Sequence, residues 1–136
     1  MNVGVVIVTH YRLGEEFLQV LRQIVPQAPE FLAVGIDPGQ SVEEMRRVIA
    51  EALARADRGH GVLVLTDMFG GTPSNISLSF HREHRVEVVT GLNLPMLIKL
   101  AALKDVKSLE ELATFIKNYG QRNISLASEI LPEGEQ

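Results

Sequence analysis

Four short apolar runs recur along the chain, separated by stretches whose apolar positions follow a helical period. Val3-Gly4-Val5-Val6-Ile7-Val8-Thr9 and Gly61-Val62-Leu63-Val64-Leu65-Thr66 are continuous and rich in Val and Ile or Leu. Such runs read as parallel strands buried on both faces. Phe31-Leu32-Ala33-Val34-Gly35-Ile36 and Val86-Glu87-Val88-Val89 predict two more strands. Phe17, Leu18, Leu21 and Ile24 predict a helix over about 14 to 25, stopped by Pro26 and Pro29. After the turn Asp37-Pro38-Gly39-Gln40, Ser41 with Glu44 forms a capping-box signature. It opens a second helix with Met45, Val48, Ile49, Ala52 and Leu53 as its buried stripe, ended by Arg58-Gly59. A third helix is expected from Pro73 to about Glu83, a fourth over Leu94 to Leu103, and a fifth over Ser108 to Asn118, opened by Ser108 and Glu111. Ile124, Leu126 and Ile130 predict an amphipathic edge strand over 123–131, of antiparallel type.

Alternating strands and helices define an α/β protein, a three-layer sandwich with a mainly parallel sheet. Right-handed crossovers with one reversal give the strand order 2-1-3-4. Residues 1–131 form the expected single domain, and 132–136 a mobile tail. That order opens a crevice between the first and third strands, where open parallel sheets bind ligands. His10 ends the first strand and Asp67 the third, so an imidazole and a carboxylate face each other across it.

Composition narrows the function. The 136 residues are 46% hydrophobic and 22% charged, ordinary for a soluble globular domain, and no apolar run reaches the ~20 residues that span a bilayer. A formal charge of −4 supplies no basic footprint for nucleic acid and mildly favours partners with a basic docking face. No cysteine is present, which excludes disulfides and thiolate metal sites and fits a reducing compartment. With no secretory leader at the start, the expected location is cytoplasmic.

Around the crevice the residues favour phosphoryl chemistry. In Asp67-Met68-Phe69-Gly70-Gly71-Thr72-Pro73-Ser74-Asn75, two glycines let the backbone approach an anion, Thr72 is a candidate N-cap, and Pro73 suits a first helical turn. The helix N-terminus would favour negative charge. Neither a Walker A motif nor a GxGxxG fingerprint occurs, so a bound nucleotide is not the expected phosphate source. A neutral imidazole is a competent nucleophile near neutral pH, and a carboxylate on one ring nitrogen fixes the tautomer that leaves the other nitrogen free. Thr9, Gly70, Gly71 and Thr72 are the expected phosphate contacts; Tyr11, Arg12, Met68, Phe69, Asn93 and Pro95 are expected to form the site wall or a docking surface.

Three motifs make the chain resemble the enzyme IIA domain of the mannose-type family of the bacterial phosphoenolpyruvate-dependent sugar phosphotransferase system. They are the strand ending in Thr9-His10, the long motif from Asp67 to Asn75, and Gly91-Leu92-Asn93-Leu94-Pro95-Met96-Leu97. The resemblance covers residues 3 to about 103 and implies transient phosphorylation of His10 by phospho-HPr and transfer to an enzyme IIB partner, with Asp67 as orienter. It also implies a homodimer in which the C-terminal strand crosses to the neighbouring subunit, and no cofactor. One departure is local: members commonly carry glycine after the histidine, whereas Tyr11-Arg12 follows here. The bulk of Tyr11 narrows the entrance or restricts the backbone, and Arg12 offers a charge to phosphate or to a partner's acidic rim.

Other readings compete. The same phosphohistidine would serve a stand-alone regulatory protein whose phosphorylation state is read by a partner. A receiver phosphorylated on Asp67 needs acidic residues after the first strand, where this chain has Thr9-His10. His60, His81 and His84 read as solvated; His81 and His84 have helical spacing but no evident third metal ligand.

Overall fold

The structure, a computed structural model, describes residues 2–81, 85–105 and 107–131. Its strands are β1 (Gly4–His10), β2 (Leu32–Ile36), β3 (Val62–Thr66) and β4 (Val86–Thr90), all parallel and ordered β2-β1-β3-β4 as the sequence predicts. The helices are α1 (Leu13–Ile24), α2 (Val42–Ala56), α3 (Thr72–Ser79), α4 (Leu94–Ala102), α5 (Leu109–Arg122) and α6 (Ala127–Ile130).

Alternation along the central strands sorts the core into two layers. Val5 and Ile7 of β1 join Leu63 and Leu65 of β3 against Leu18 and Leu21 of α1, Leu97 and Leu100 of α4, and Leu112 and Ile116 of α5. Val6, Val8, Val62 and Val64 point the other way, onto Met45, Ile49 and Leu53 of α2 and onto Ile76 and Phe80. Both faces are covered, which is why these strands read as unbroken apolar runs rather than alternating ones.

Local chemistry sets the helix ends. Ser41 and Ser108 accept hydrogen bonds from the N–H groups of Glu44 and Glu111, both at 3.1 Å. The Glu44 carboxylate does not complete a capping box; it pairs with Arg47, whose hydrogen bonds hold that carboxyl below the usual glutamate range. α3 ends at Ser79, short of the expected Glu83, which lies outside the described residues with His84 and the 132–136 tail.

The expected edge strand over 123–131 is absent. Glu129 N–H donates to Leu126 O and Leu131 N–H to Ala127 O, both at 3.0 Å, closing one helical turn instead. The four-residue spacing of Leu126 and Ile130 fits that turn as well as it fits a strand. Ile124, Leu126 and Ile130 are left exposed.

Candidate functional site

His10 ends β1 as the only exposed residue of that strand, its side chain 48% accessible. It shares the alternation of Val6 and Val8, so its ring leaves the sheet on the side of α2 and α3. Asp67 follows β3 directly, and since β3 pairs with β1 as far as Val8 opposite Thr66, its carboxylate stands beside the end of β1.

The carboxylate, only 12% accessible, is held from three sides. Oδ2 accepts from the His10 backbone N–H at 3.0 Å and lies 2.8 Å from Nδ1 of the same residue. Oδ1 accepts from the Met68 N–H at 3.1 Å. An ionised carboxylate can only accept, so the proton of the neutral ring sits on Nδ1 and Nε2 keeps its lone pair. The structure thus brings the imidazole and the carboxylate into direct contact across the crevice.

Gly71 bounds the ring on its Nε2 side. A Cβ at this position would lie 2.6 Å from His10 Cε1 and 3.0 Å from Nε2. The backbone there is ordinary, with φ −88 and ψ 172, so the absent side chain provides space rather than conformational freedom. Gly71 is also the N-cap of α3, a correction to the expectation for Thr72, which is the first helical residue and whose exposed hydroxyl caps nothing. The chain turns through Gly70 at φ 90, putting the cap one residue earlier than the threonine signature suggested. Asn75 N–H donates to Gly71 O at 2.9 Å and starts the helical ladder. The Thr72 N–H precedes it at the exposed start of the helix, Pro73 has none and Ser74 is fully buried, so the donor open to an anion beside Nε2 is that of Thr72.

Other predicted site residues divide. Thr9 does not face the crevice: it is fully buried, and its Oγ1 accepts from Gly14 N–H at 2.8 Å, bracing the start of α1. Strand alternation explains this, since neighbours in β1 point to opposite faces. Asn93 is consumed as a brace, its Oδ1 accepting from Met96 N–H at 3.2 Å and its Nδ2 donating to Gly120 O at 3.0 Å, and Pro95 stands beside it in the first turn of α4. Tyr11, Arg12, Met68 and Phe69 all lie exposed next to His10 or Asp67 in the chain, with Arg12 Nε 3.9 Å from Glu15 Oε2. Gly35 lies inside β2, where a glycine signals close backbone approach, and the Tyr11 carbonyl oxygen occupies the space its Cβ would need. Among the described residues no group of three potential metal ligands gathers, and no helix is long and apolar enough to cross a membrane. His81 Nδ1 donates to Val86 O at 2.7 Å.

Fold and site together define a parallel α/β protein that presents a carboxylate-oriented histidine at its switch point, beside a glycine-lined helix N-terminus. The chain belongs to the EIIA-man family, described as the fructose IIA component of the phosphotransferase system, whose profile matches residues 4–117. It is thereby a component of the phosphotransferase system for sugar transport. It is 33% identical over 101 residues to the fructose-specific EIIA component of Bacillus subtilis (strain 168), covering 74% of this chain and 69% of that one. Over 127 residues it is 30% identical to the mannose-specific EIIAB component of Escherichia coli (strain K12), covering 91% of this chain but 39% of that longer protein. The mannose/sorbose specific IIA subunit from Enterococcus faecalis superposes with a TM-score of 0.86 at 30% identity, over 98% of each chain.

Proposed function

We propose that residues 1–131 act as a single phosphocarrier unit in which His10 accepts a phosphoryl group from phospho-HPr and hands it to an enzyme IIB component for sugar uptake. The observation that carries this reading is the His10 ring itself, tied through Nδ1 to Asp67 at 2.8 Å with Nε2 against Gly71. In the forward step the Nε2 lone pair attacks phosphorus, and the bond from phosphorus to the donor nitrogen breaks with its electron pair returning to the donor ring. The Nδ1 proton stays in place, so the phosphorylated ring carries positive charge that the adjacent Asp67 carboxylate balances. The N–H and hydroxyl of Thr72 are the proposed partners of the phosphoryl oxygens, with Gly70 and Gly71 admitting the group. Onward transfer reverses the step with the acceptor as nucleophile.

A homodimer is part of this proposal. Ile124, Leu126 and Ile130 are exposed close together in sequence, and a second copy is the partner that would bury them. Sedimentation of an Ile124→Asp, Ile130→Asp variant as monomer, against a dimeric parent, would support that interface.

Intact mass after incubation with phosphoenolpyruvate, enzyme I and HPr tests the carrier reading. A single acid-labile phosphoryl adduct, absent in His10→Ala and reduced in Asp67→Ala, is the expected result. No adduct with an active donor chain would refute it.

A further inference from the structure

Among the described residues, Tyr11 is the only one other than glycine with a positive φ, at 51. A residue with a Cβ is strained there, and bulk adds to the strain. The surrounding backbone imposes the conformation from both sides. Tyr11 N–H donates to Ile36 O at 2.9 Å, extending the β1–β2 ladder by one residue. Its carbonyl oxygen lies 2.1 Å from where a Cβ on residue 35 would sit, an approach only Gly35 permits. The turn that releases the chain from His10 therefore fixes the Tyr11 backbone, and glycine would satisfy it without strain.

A large aromatic residue nevertheless occupies the position, and core packing does not compensate for it, since Tyr11 is 63% exposed. Sparsely populated backbone held at a reactive site is a pointer to function when the surroundings over-determine it. Phe69 and Met68 are also exposed, at 71% and 53%, directly after Asp67 on the other lip of the crevice. Beside Tyr11, a cleft of about 250 Å³ is lined by Tyr11, Arg12, Glu15, Gly35 and Asp37. Exposed Tyr11 thus directly follows His10, exposed Met68 and Phe69 directly follow Asp67, and the Tyr11 backbone is held between β1 and β2.

Resting on the carrier reading, we infer that Tyr11 is the specificity-determining anchor for phospho-HPr, the protein that donates the phosphoryl group to His10. That partner presents its reacting residue within an apolar surface that packs on the Tyr11 ring. A tyrosine whose backbone is already fixed loses little conformational entropy on docking, and tyrosine is enriched among residues that dominate interface energetics. The strain at Tyr11 is retained because the ring is used in recognition.

The test compares two phosphoryl donors on the full chain: phospho-HPr, which must dock, and phosphoramidate, which has no protein surface. Wild type, Tyr11→Phe, Tyr11→Ala and Tyr11→Gly are assayed, and each rate with phospho-HPr is divided by that with phosphoramidate. The expected result is a KM for phospho-HPr at least tenfold higher in both Tyr11→Ala and Tyr11→Gly, with the donor ratio falling accordingly and Tyr11→Phe restoring it. A KM within twofold of wild type in both truncations overturns the inference. A change in Tyr11→Gly alone also overturns it, since the conformation and not the ring would then be responsible. Phosphoramidate labelling of wild type without labelling by phospho-HPr overturns it. Failure of both donors to label His10 removes the carrier reading and this inference together.

Discussion

Gly71→Ala is the substitution for which the geometry makes the sharpest demand. The new Cβ would stand 2.6 Å from His10 Cε1 and 3.0 Å from Nε2, where ordinary contact begins near 3.4 Å. The backbone at φ −88 and ψ 172 accepts alanine without strain, so the perturbation is a collision with the ring. The ring must retreat by about 1 Å, and a displacement of that size at a reacting centre costs on the order of 10²-fold in rate. That corresponds to about 2.7 kcal/mol of transition-state stabilisation. The Nδ1 to Asp67 contact of 2.8 Å stretches in the same movement. The assay is single-turnover phosphorylation by phospho-HPr, read with the thermal midpoint of each variant. Gly70→Ala is the control: its φ of 90 strains an alanine, yet no atom lies within 4 Å of the added Cβ. It should lose about 1–2 kcal/mol of stability and less activity than Gly71→Ala. A Gly71→Ala protein that folds normally and transfers at the wild-type rate would refute the placement of the ring against this loop.

Four further outcomes follow from the same structure. Asp67→Asn removes the charge that balances the phosphorylated ring and replaces an accept-only carboxylate by an amide that can also donate, so the tautomer is no longer fixed; transfer rates should fall about 10²- to 10⁴-fold with the melting temperature little changed. Gly35→Ala brings a Cβ to 2.1 Å from the Tyr11 carbonyl oxygen, and urea titration should show a loss of roughly 2–4 kcal/mol, with reduced transfer because the same turn carries His10. Ile49→Ala empties a fully buried position between α2 and the sheet and should cost about 2–5 kcal/mol without lowering the single-turnover rate of the folded protein. The Arg47 hydrogen bonds lower the Glu44 carboxyl, so their contribution is present above the ordinary glutamate range and is lost as pH falls through the lowered value. Denaturation across an acid pH series should show a small decline that Glu44→Gln abolishes, small because the pair is exposed.

Much of the architecture is legible in the order of its elements. The runs ending at Thr9 and Thr66 are apolar at every position because helices cover both sheet faces, and their order alone placed the crevice between β1 and β3. His10 and Asp67 could be found because each follows such a run directly. What escaped depends on side-chain direction. Thr9 neighbours His10 in sequence but points to the opposite face, and Asn93 turns its amide onto α4 and α5 rather than remaining free. Thr72 carries a good capping hydroxyl, yet the turn through Gly70 puts the cap at Gly71. The segment over 123–131 misled because three apolar residues at two- and four-residue spacing fit a strand and a helical turn alike. In the sequence Gly71 signals room for an anion to approach; its closeness to the imidazole is a distance that no local pattern encodes.

The central claim is that phosphoryl transfer passes through Nε2 of His10 while Asp67 retains Nδ1. Heteronuclear NMR on protein with ¹⁵N-labelled imidazoles, recorded after phosphorylation by phospho-HPr, tests it directly. Phosphorus coupling to Nε2 of His10, with Nδ1 still protonated, is the predicted result. Phosphorus on Nδ1, or on any other residue, would contradict the account.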